Sequence, residues 1–170
     1  MDERSVERWN NAMKIKGLID EDFVNYKVPS MFIITAHCSF KCDKECGKRV
    51  CQNGALAKRK PIQVDKAELC HRYMSNRISK AMVFGGLEPF DQFNDVLFII
   101  RYLRCSFCKD DVVIYTGYNK EEIADKVEML KQFPNIVIKF GRYIPDQTPH
   151  FDPVLGINLA SDNQYAEKIS

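Results

Sequence analysis

A chain of 170 residues is long enough to bury one hydrophobic core without the help of disulfides or a structural metal. Its 25 basic and 23 acidic residues leave a formal net charge of +2, a balance that argues against a nucleic-acid groove and a membrane-binding face. No apolar stretch approaches the roughly 20 residues of a membrane span, and the charged residues 1–4 lack the apolar core of a signal peptide. We therefore expect a cytoplasmic protein.

The predicted elements begin with residues 1–30, a polar and mixed stretch that we interpret as an N-terminal helix and arm. Apolar, β-favouring runs then predict four strands, at residues 31–35, 81–84, 111–115 and 136–140. Three helices are predicted between these strands. The first covers about residues 66–75 and precedes the second strand. The second follows the apolar stripe from Phe93 to Leu103, and the third begins after Asn119 and precedes the fourth strand. Asp65 is the expected cap of the first helix, and Asn119 with Glu122 forms a capping-box-like pair.

The order of these elements implies right-handed crossovers and a parallel sheet, flat or curved into part of a barrel. The fold class that we predict is α/β, with parallel β/α repeats forming a partial (β/α) barrel. Because the chain shows no repeat, low-complexity tract or linker, we expect a single domain over residues 1–170. It would consist of the N-terminal arm (1–30), a β/α core (31–145) and an irregular tail (146–170).

An unusual loop follows each predicted strand. A cysteine-rich segment follows the first, Gly-Gly-Leu-Glu-Pro (85–89) the second, Thr-Gly-Tyr (116–118) the third and Gly-Arg-Tyr (141–143) the fourth. In parallel sheets the carboxyl ends of the strands share one edge, and α/β proteins bind ligands there. The sequence therefore predicts that four loops converge on one site.

The cysteine segment contains Cys38, Cys42, Cys46 and Cys51 within 14 residues of a predicted loop. The chain has seven cysteines, and an odd number in a reducing compartment indicates ligation, catalysis or burial. A structural zinc site would take four thiolates, or three with His37 or His71, but such sites usually pair two CxxC knuckles. Thiolate-rich loops also hold cubane iron–sulfur clusters, in which each iron takes one cysteine. Three ligands would leave one iron open to a substrate, whereas four would leave none.

The segment resembles the radical S-adenosylmethionine superfamily, whose signature CxxxCxxC follows the first strand. Cys38 and Cys42 match its first half. Cys51, followed by Gln52-Asn53, is similar to the Cys-x-Asn that closes the motif in activating enzymes of glycyl-radical systems. The resemblance implies that Cys51 is the third ligand and residues 43–50 are an insertion, with Cys46 as the alternative ligand. Phe40, between the first two ligands, is expected to shield the cluster from water.

Four further segments carry the resemblance. The segment with Gly85, Gly86 and Glu88 is similar to the superfamily's Gly-Gly-Glu-Pro with one residue inserted, which makes Glu88 the candidate partner of the methionyl ammonium. Residues 113–118, with Thr116 as a candidate cofactor-binding residue, resemble the Tyr-Thr-Gly-Tyr stretch of the anaerobic ribonucleotide reductase activating proteins. Residues 139–144 and 159–164 resemble their Asp-Gly-Arg-Phe and Gly-Ser-Ser-Asn-Gln segments, although Phe140 replaces the aspartate.

The resemblance implies a 4Fe-4S protein that reductively cleaves S-adenosylmethionine to a 5′-deoxyadenosyl radical under anaerobic conditions. Its partners would be a flavodoxin or ferredoxin as electron donor and a glycyl-radical enzyme, such as anaerobic ribonucleotide reductase. One alternative is radical modification of a peptide or small molecule. Another is a non-catalytic adaptor whose cysteines hold zinc or a fully ligated cluster.

The remaining cysteines are expected to be structural. Cys105 and Cys108 form a CxxC that could be a redox pair, but they end a helix away from the loop edge, so we expect buried or half-exposed thiols. Cys70 lies within a predicted helix and is expected in the core.

Overall fold

The computed structural model describes residues 11–170. In this part of the chain seven strands form one sheet in the order β3-β1-β2-β4-β5-β6-β9. They are β1 (Ala12–Asp22), β2 (Ser30–Thr35), β3 (Ile62–Asp65), β4 (Ala81–Gly86), β5 (Asp111–Tyr115), β6 (Ile136–Phe140) and β9 (Tyr165–Lys168). A separate hairpin pairs β7 (His150–Asp152) with β8 (Ile157–Leu159).

Five α-helices connect or flank the strands within the described residues. They are α1 (Lys41–Cys46), α2 (Gly54–Ala57), α3 (Lys66–Ser75), α4 (Phe93–Cys105) and α5 (Ala124–Leu130), and short 3-10 turns span Pro89–Gln92 and Lys120–Ile123. Asp65 caps α3 by accepting from the Glu68 N–H at 2.9 Å. The predicted capping box of Asn119 and Glu122 is also present. The predicted helices are therefore confirmed, and the third begins with a 3-10 turn.

The centre of the sheet is parallel. β2, β4, β5 and β6 pair in parallel in that order, and the antiparallel strands β1 and β9 pair with β2 and β6. The four predicted strands and the mixed α/β class are confirmed. The sheet is open, with β3 and β9 at its edges, so it is not a closed barrel, and a partial barrel is not shown.

The N-terminal prediction is wrong where the structure tests it. Residues 1–10 of the predicted helix and arm lie outside the described residues, but Ala12–Asp22 is a strand rather than a helix. Its first half alternates between the buried Met13 and Ile15 and the exposed Lys14, the period of a strand with one face on the core. The lysines at 14 and 16 disguised this alternation as a polar stretch.

The two faces of the sheet are covered differently. Helices α3, α4 and α5 pack on one face, against strand residues such as Ile33, Phe84 and Ile114. The other face, with Val83 and Val113 at its centre, is covered by the connection between β1 and β2 and by the β7–β8 hairpin. The predicted irregular tail is thus wrong, since it contains three strands. β7 and β8 could not be predicted from a hydrophobic pattern because each strand is only three residues long.

Candidate metal and cofactor site

One cavity of about 300 Å³ lies at the carboxyl edge of the parallel strands. Residues after β2, β4, β5 and β6 all contribute to its wall, as do the β1–β2 connection and the β8 hairpin strand. The four loops that the sequence predicted to converge therefore meet here. This is the position at which open α/β sheets bind ligands, and the volume is at the lower end for a small-molecule site.

Three of the four candidate thiols face this cavity. Cys38, Cys42 and Cys51 line it and are half-buried, whereas Cys46 is exposed and does not line it. The side chains of Cys42 and Cys51 are neighbours. Burial raises the pKa of Cys38 and of Cys42 to about 11, and for Cys42 the neighbouring Cys51 adds to the effect. The structure thus brings Cys51, rather than Cys46, to the first two cysteines.

Part of the predicted cysteine loop is helical. Cys42 and Cys46 lie on the six-residue helix α1. The residues that flank this helix, Phe40 (φ 52°) and Gly47 (φ 64°), both have left-handed backbone conformations. Because they are four residues apart, the two thiols lie on the same side of the helix, but only Cys42 lines the cavity. Phe40 is half-buried and is not part of the cavity wall, so its predicted shielding role stays a prediction.

The side chain of Asp43 folds the insertion back towards the cavity. Its Oδ1 accepts the backbone N–H groups of Val50 and Cys51, both at 2.8 Å. A charged acceptor makes such hydrogen bonds strong, and the two together close the loop between α1 and Cys51. This contact explains how a cysteine nine residues after Cys42 comes to lie beside it, which spacing alone did not settle.

The turn after β4 holds the start of the cysteine segment. The Glu88 N–H donates to the carbonyl of His37 at 2.7 Å, and the Ser39 N–H donates to Asp91 at 2.8 Å. Gln92, only 7% exposed, accepts the Ala36 N–H at 2.6 Å. Sequence reasoning missed Asp91 and Gln92, although polar residues directly after Glu88-Pro89 at a ligand-binding edge were an available signal. These contacts fix the backbone around Cys38.

Glu88 is buried at the cavity wall with its carboxylate almost fully hydrogen-bonded. Oε1 accepts the Phe90 N–H at 3.0 Å and the Thr116 hydroxyl at 2.8 Å, and Oε2 accepts the Gly117 N–H at 2.9 Å. A carboxylate offers about four acceptor positions, so Oε2 keeps one. Burial nevertheless raises the pKa of Glu88 to about 7. The site therefore favours a cationic ligand group that would restore the charge on Glu88.

The two glycines of the predicted motif have different surroundings. Gly86 lines the cavity and has a φ of 87°, which side chains rarely adopt. Gly85 is not part of the wall, and a Cβ there would lie 3.0 Å from the ring of Phe32. Gly86 therefore allows a backbone turn at the cavity, while Gly85 makes room for packing on the sheet. Thr116 lines the cavity and acts there through its hydrogen bond to Glu88.

Lys139 is a cavity residue that sequence reasoning missed. It lies on β6, is 8% exposed, and donates from Nζ to the Gly141 carbonyl at 2.9 Å. Burial lowers the pKa of Lys139 to about 8, while the nearby Glu88 opposes this shift. Burial has a larger effect than the attraction between the two groups. It raises the pKa of Glu88 and lowers the pKa of Lys139, and both shifts favour the neutral form of the side chain. The signal that was available in the sequence is a single lysine in an otherwise apolar strand.

A charged cluster forms the cavity wall beside α1. Arg142 is buried and its Nη2 lies 2.6 Å from Glu122, which also pairs with Lys41 at 3.2 Å. Arg142 holds the pKa of Glu122 at about 2. The 159–164 segment contacts the loop that contains Arg142, since Asn163 donates to the Arg142 carbonyl at 2.9 Å. The structural role of that motif is thus to hold the loop after β6.

The donor set suits an iron–sulfur cluster. No three His, Cys, Asp or Glu side chains within residues 11–170 stand close enough together to hold a single metal ion. A cubane cluster does not require this, because each of its irons takes one cysteine. Three thiols around one cavity are available as three such ligands.

Comparison with known proteins identifies one family. A family described as a 4Fe-4S single cluster domain matches residues 29–158, more than half of the chain. No curated protein and no solved structure gives a significant match. Within residues 11–170, no helix has the length and apolar character to cross a membrane. The matched range includes the three cavity thiols, Glu88, Lys139 and the charged cluster around Arg142.

Proposed function

Because the chain belongs to the family of 4Fe-4S single cluster domains, we propose that Cys38, Cys42 and Cys51 hold the cluster and that its fourth iron binds S-adenosylmethionine. The activity would be reductive cleavage of that cofactor, as in the radical S-adenosylmethionine superfamily. In this proposal Cys46 is a neighbour and not a ligand, and the four parallel strands correspond to a partial (β/α) barrel.

The observation that carries the proposal is the shared cavity. Three thiols and the buried carboxylate of Glu88 line the same space of about 300 Å³. A fully ligated electron-transfer cluster needs no substrate cavity and no buried carboxylate beside it. A sulfonium cofactor with an ammonium group needs both.

When bound and reduced, the cluster supplies the electron that splits S-adenosylmethionine into methionine and a 5′-deoxyadenosyl radical. The residues of the chain would bind S-adenosylmethionine and hold it in a fixed orientation. Glu88 would accept a hydrogen bond from the methionyl ammonium at its remaining Oε2 position, and Thr116 and Gly117 hold that carboxylate in place. Gly86 lets the backbone lie close to the bound cofactor.

We further propose that the radical acts on a glycyl-radical enzyme, anaerobic ribonucleotide reductase being the example that the sequence suggests. A flavodoxin or ferredoxin in the cytoplasm would donate the electron. This part of the proposal rests on the similarity of residues 113–118, 139–144 and 159–164 to the activating proteins.

One observation favours a second candidate, radical modification of a small molecule or peptide. Asn25 of the β1–β2 connection and Asn158 of β8 also line the cavity. Polar groups in the wall can bind a substrate that enters the cavity alone, whereas an activase relies on its partner to cover the site. Product formation that requires a large glycyl-radical protein separates the two.

The decisive experiment is anaerobic reconstitution with iron and sulfide, reduction with dithionite and quantification of 5′-deoxyadenosine after addition of S-adenosylmethionine. We expect product from the wild-type protein and from Cys108→Ala, a matched control whose thiol lies away from the cavity. Cys42→Ala is expected to give none. Absence of product from a wild-type protein with a full iron complement would refute the proposed function and support a non-catalytic cluster protein.

A further inference from the structure

Positive charge is concentrated in residues 41–60, the part of the chain that contains Cys42 and Cys51, two of the three proposed ligands. Residues 41–60 hold seven basic and two acidic residues, a net charge of +5, whereas the whole chain carries only +2. The other 150 residues are therefore net negative. A charge imbalance confined to one segment creates a local field that a partner of opposite charge can sense.

Within this segment, residues 44–49 form an exposed stretch that we call the cationic lobe. The two acidic residues of the insertion, Asp43 and the exposed Glu45, both have partners within the chain. Asp43 accepts the N–H groups of Val50 and Cys51, and Glu45 lies 3.1 Å from Nε of Arg142. The field of the lobe is therefore set by its cations.

The three cations of the lobe have no ion-pair partner within residues 11–170. Lys44, Lys48 and Arg49 are exposed, and none of them forms an ion pair with any residue of the described chain. Elsewhere around the cavity the basic side chains are engaged, since Lys41 and Arg142 both pair with Glu122. The lobe is thus distinguished from the rest of the site by unpaired positive charge.

The lobe also has a defined position relative to the cavity. It lies in the chain between Cys42 and Cys51, two of the thiols that line the cavity, and the Asp43 contacts hold its two ends together. A protein that contacts the lobe is therefore brought next to the proposed cluster ligands. Electron transfer between proteins needs this kind of close approach and little else, so small interfaces suffice.

We propose that the cationic lobe is the docking surface for an acidic one-electron carrier protein. The inference rests on the proposed function, because it assigns the electron's point of entry to the same site. In the complex the reduced carrier is oxidised by one electron, the bound cluster is reduced by one electron, and no bond or proton changes. Opposite charges accelerate such encounters and make them sensitive to salt.

A nucleic acid is the other class of polyanion that a cationic surface attracts. The position of the lobe favours the redox protein, because the lobe is joined at both ends to cavity thiols. No aromatic side chain lies within residues 44–49 to stack on a base. Binding of an oligonucleotide is therefore kept as an outcome of the test.

The test compares two triple variants that change the net charge equally. Lys44→Glu/Lys48→Glu/Arg49→Glu alters the lobe, and Lys58→Glu/Arg59→Glu/Lys60→Glu alters an equally exposed basic run outside it. The probe is oxidised flavodoxin, an acidic flavin protein, and its dissociation constant is measured with each reconstituted protein at low and high ionic strength. We expect the lobe variant to bind at least about tenfold more weakly at low salt and the control to change by less than about threefold.

Activity provides a second readout that separates the two proposals. With dithionite as reductant, both variants and the wild type are expected to form 5′-deoxyadenosine at similar rates, since a small reductant needs no docking surface. With reduced flavodoxin, the lobe variant alone should slow by about tenfold or more. A wild type that is inactive with dithionite refutes the proposed function, whereas an active wild type with unaltered flavodoxin binding in the lobe variant refutes only the docking inference.

Two more results would overturn the inference. Equal weakening of flavodoxin binding in both triple variants would show a response to total charge and not to the lobe. Loss of single-stranded oligonucleotide binding in the lobe variant, with flavodoxin binding intact, would assign the surface to a nucleic acid. The neutral variant Lys44→Gln/Lys48→Gln/Arg49→Gln guards against misfolding by charge reversal, and we expect it to bind flavodoxin with intermediate affinity.

Discussion

The chain places cysteines in two regions with very different surroundings. Cys38, Cys42 and Cys51 line a cavity at the carboxyl edge of the parallel strands, among backbone and carboxylate groups that orient them. Cys70 is fully buried among apolar side chains, and Cys108 is half-buried just before the amino end of β5, whereas Cys105 is exposed, so the prediction for that thiol is wrong. Burial raises the pKa of Cys70 to about 12, so that thiol stays protonated.

The contrast shows which property of a cysteine indicates a site. Both regions contain closely spaced thiols, and the CxxC of Cys105 and Cys108 is the more familiar spacing. Only the first region combines thiols with a cavity and with polar groups from three other loops. Position relative to the sheet edge therefore separates the two regions better than the spacing of the cysteines does. Substitutions in the two regions should therefore differ in effect, from complete loss of activity at the cavity thiols to a small loss of stability at Cys70.

The largest effect is expected when a cavity thiol is removed. Cys51→Ala should abolish 5′-deoxyadenosine formation, by about a hundredfold or more, because a cluster with two remaining ligands is not held. Cys46→Ala should only weaken it, by less than about threefold, since that thiol is exposed and does not line the cavity. Iron and sulfide content and product formation are measured together. The reverse order of effects would make Cys46 the third ligand.

The second effect concerns the buried carboxylate. Glu88→Gln should weaken S-adenosylmethionine binding by about ten- to a hundredfold, because a hydrogen bond to a charged group contributes about 1.5–3 kcal/mol. The wild type should also depend on pH. With the pKa of Glu88 raised to about 7, the carboxylate is charged above that pH and takes up a proton below it. Affinity should therefore fall about tenfold from about pH 8 to about pH 6.

The pH dependence of binding is compared between wild type and Glu88→Gln by calorimetry on the reconstituted proteins. Titrating groups that do not interact with Glu88 contribute equally to both profiles. The difference between the profiles therefore reports on Glu88 together with Lys139, whose pKa depends on the charge of Glu88. Parallel profiles would contradict the assigned role of this residue.

The third effect concerns Asp43, a positioning residue for Cys51. Asp43→Ala should speed the loss of the cluster to a chelator by about tenfold, because both N–H contacts that bring Cys51 to the cavity are lost. Asp43→Asn retains an Oδ1 acceptor and should stay within about threefold of the wild type. Loss rates that are equal for the two variants would show that the carbonyl-type acceptor is irrelevant.

The smallest effect is expected in the second region. Cys70→Ala should lower the free energy of unfolding by about 1–2 kcal/mol through lost packing, measured by urea denaturation. Iron content and 5′-deoxyadenosine formation per cluster should not change. A loss of iron in this variant would break the separation between the two groups of cysteines.

The parts of the fold that follow from local patterns were predictable. β2, β4, β5 and β6 are continuous apolar runs, and their alternation with capped helices implies the parallel order that the structure has. β1 was missed because lysines 14 and 16 interrupt its apolar residues. β3 was missed because it is an edge strand whose Ile62 is 53% exposed, so its pattern carries no burial signal.

The candidate site was predictable in place but not in detail. The loops after the parallel strands could be assigned to one edge by topology alone. The choice of the third thiol could not, since it depends on Asp43 reaching the N–H groups of residues seven and eight positions later. Lys139 was missed because lysines are mostly exposed, and the sequence does not show that this one is buried at the wall of a cavity that β8 also lines.

Mössbauer spectroscopy of the reconstituted, iron-enriched protein with and without S-adenosylmethionine tests the central claim most directly. Three cysteine ligands leave one of the four irons of a cubane cluster without a protein thiolate. We predict that this one iron site changes its spectrum when S-adenosylmethionine is added, and that Cys46→Ala behaves in the same way. Four equivalent irons that do not respond to S-adenosylmethionine would contradict the account.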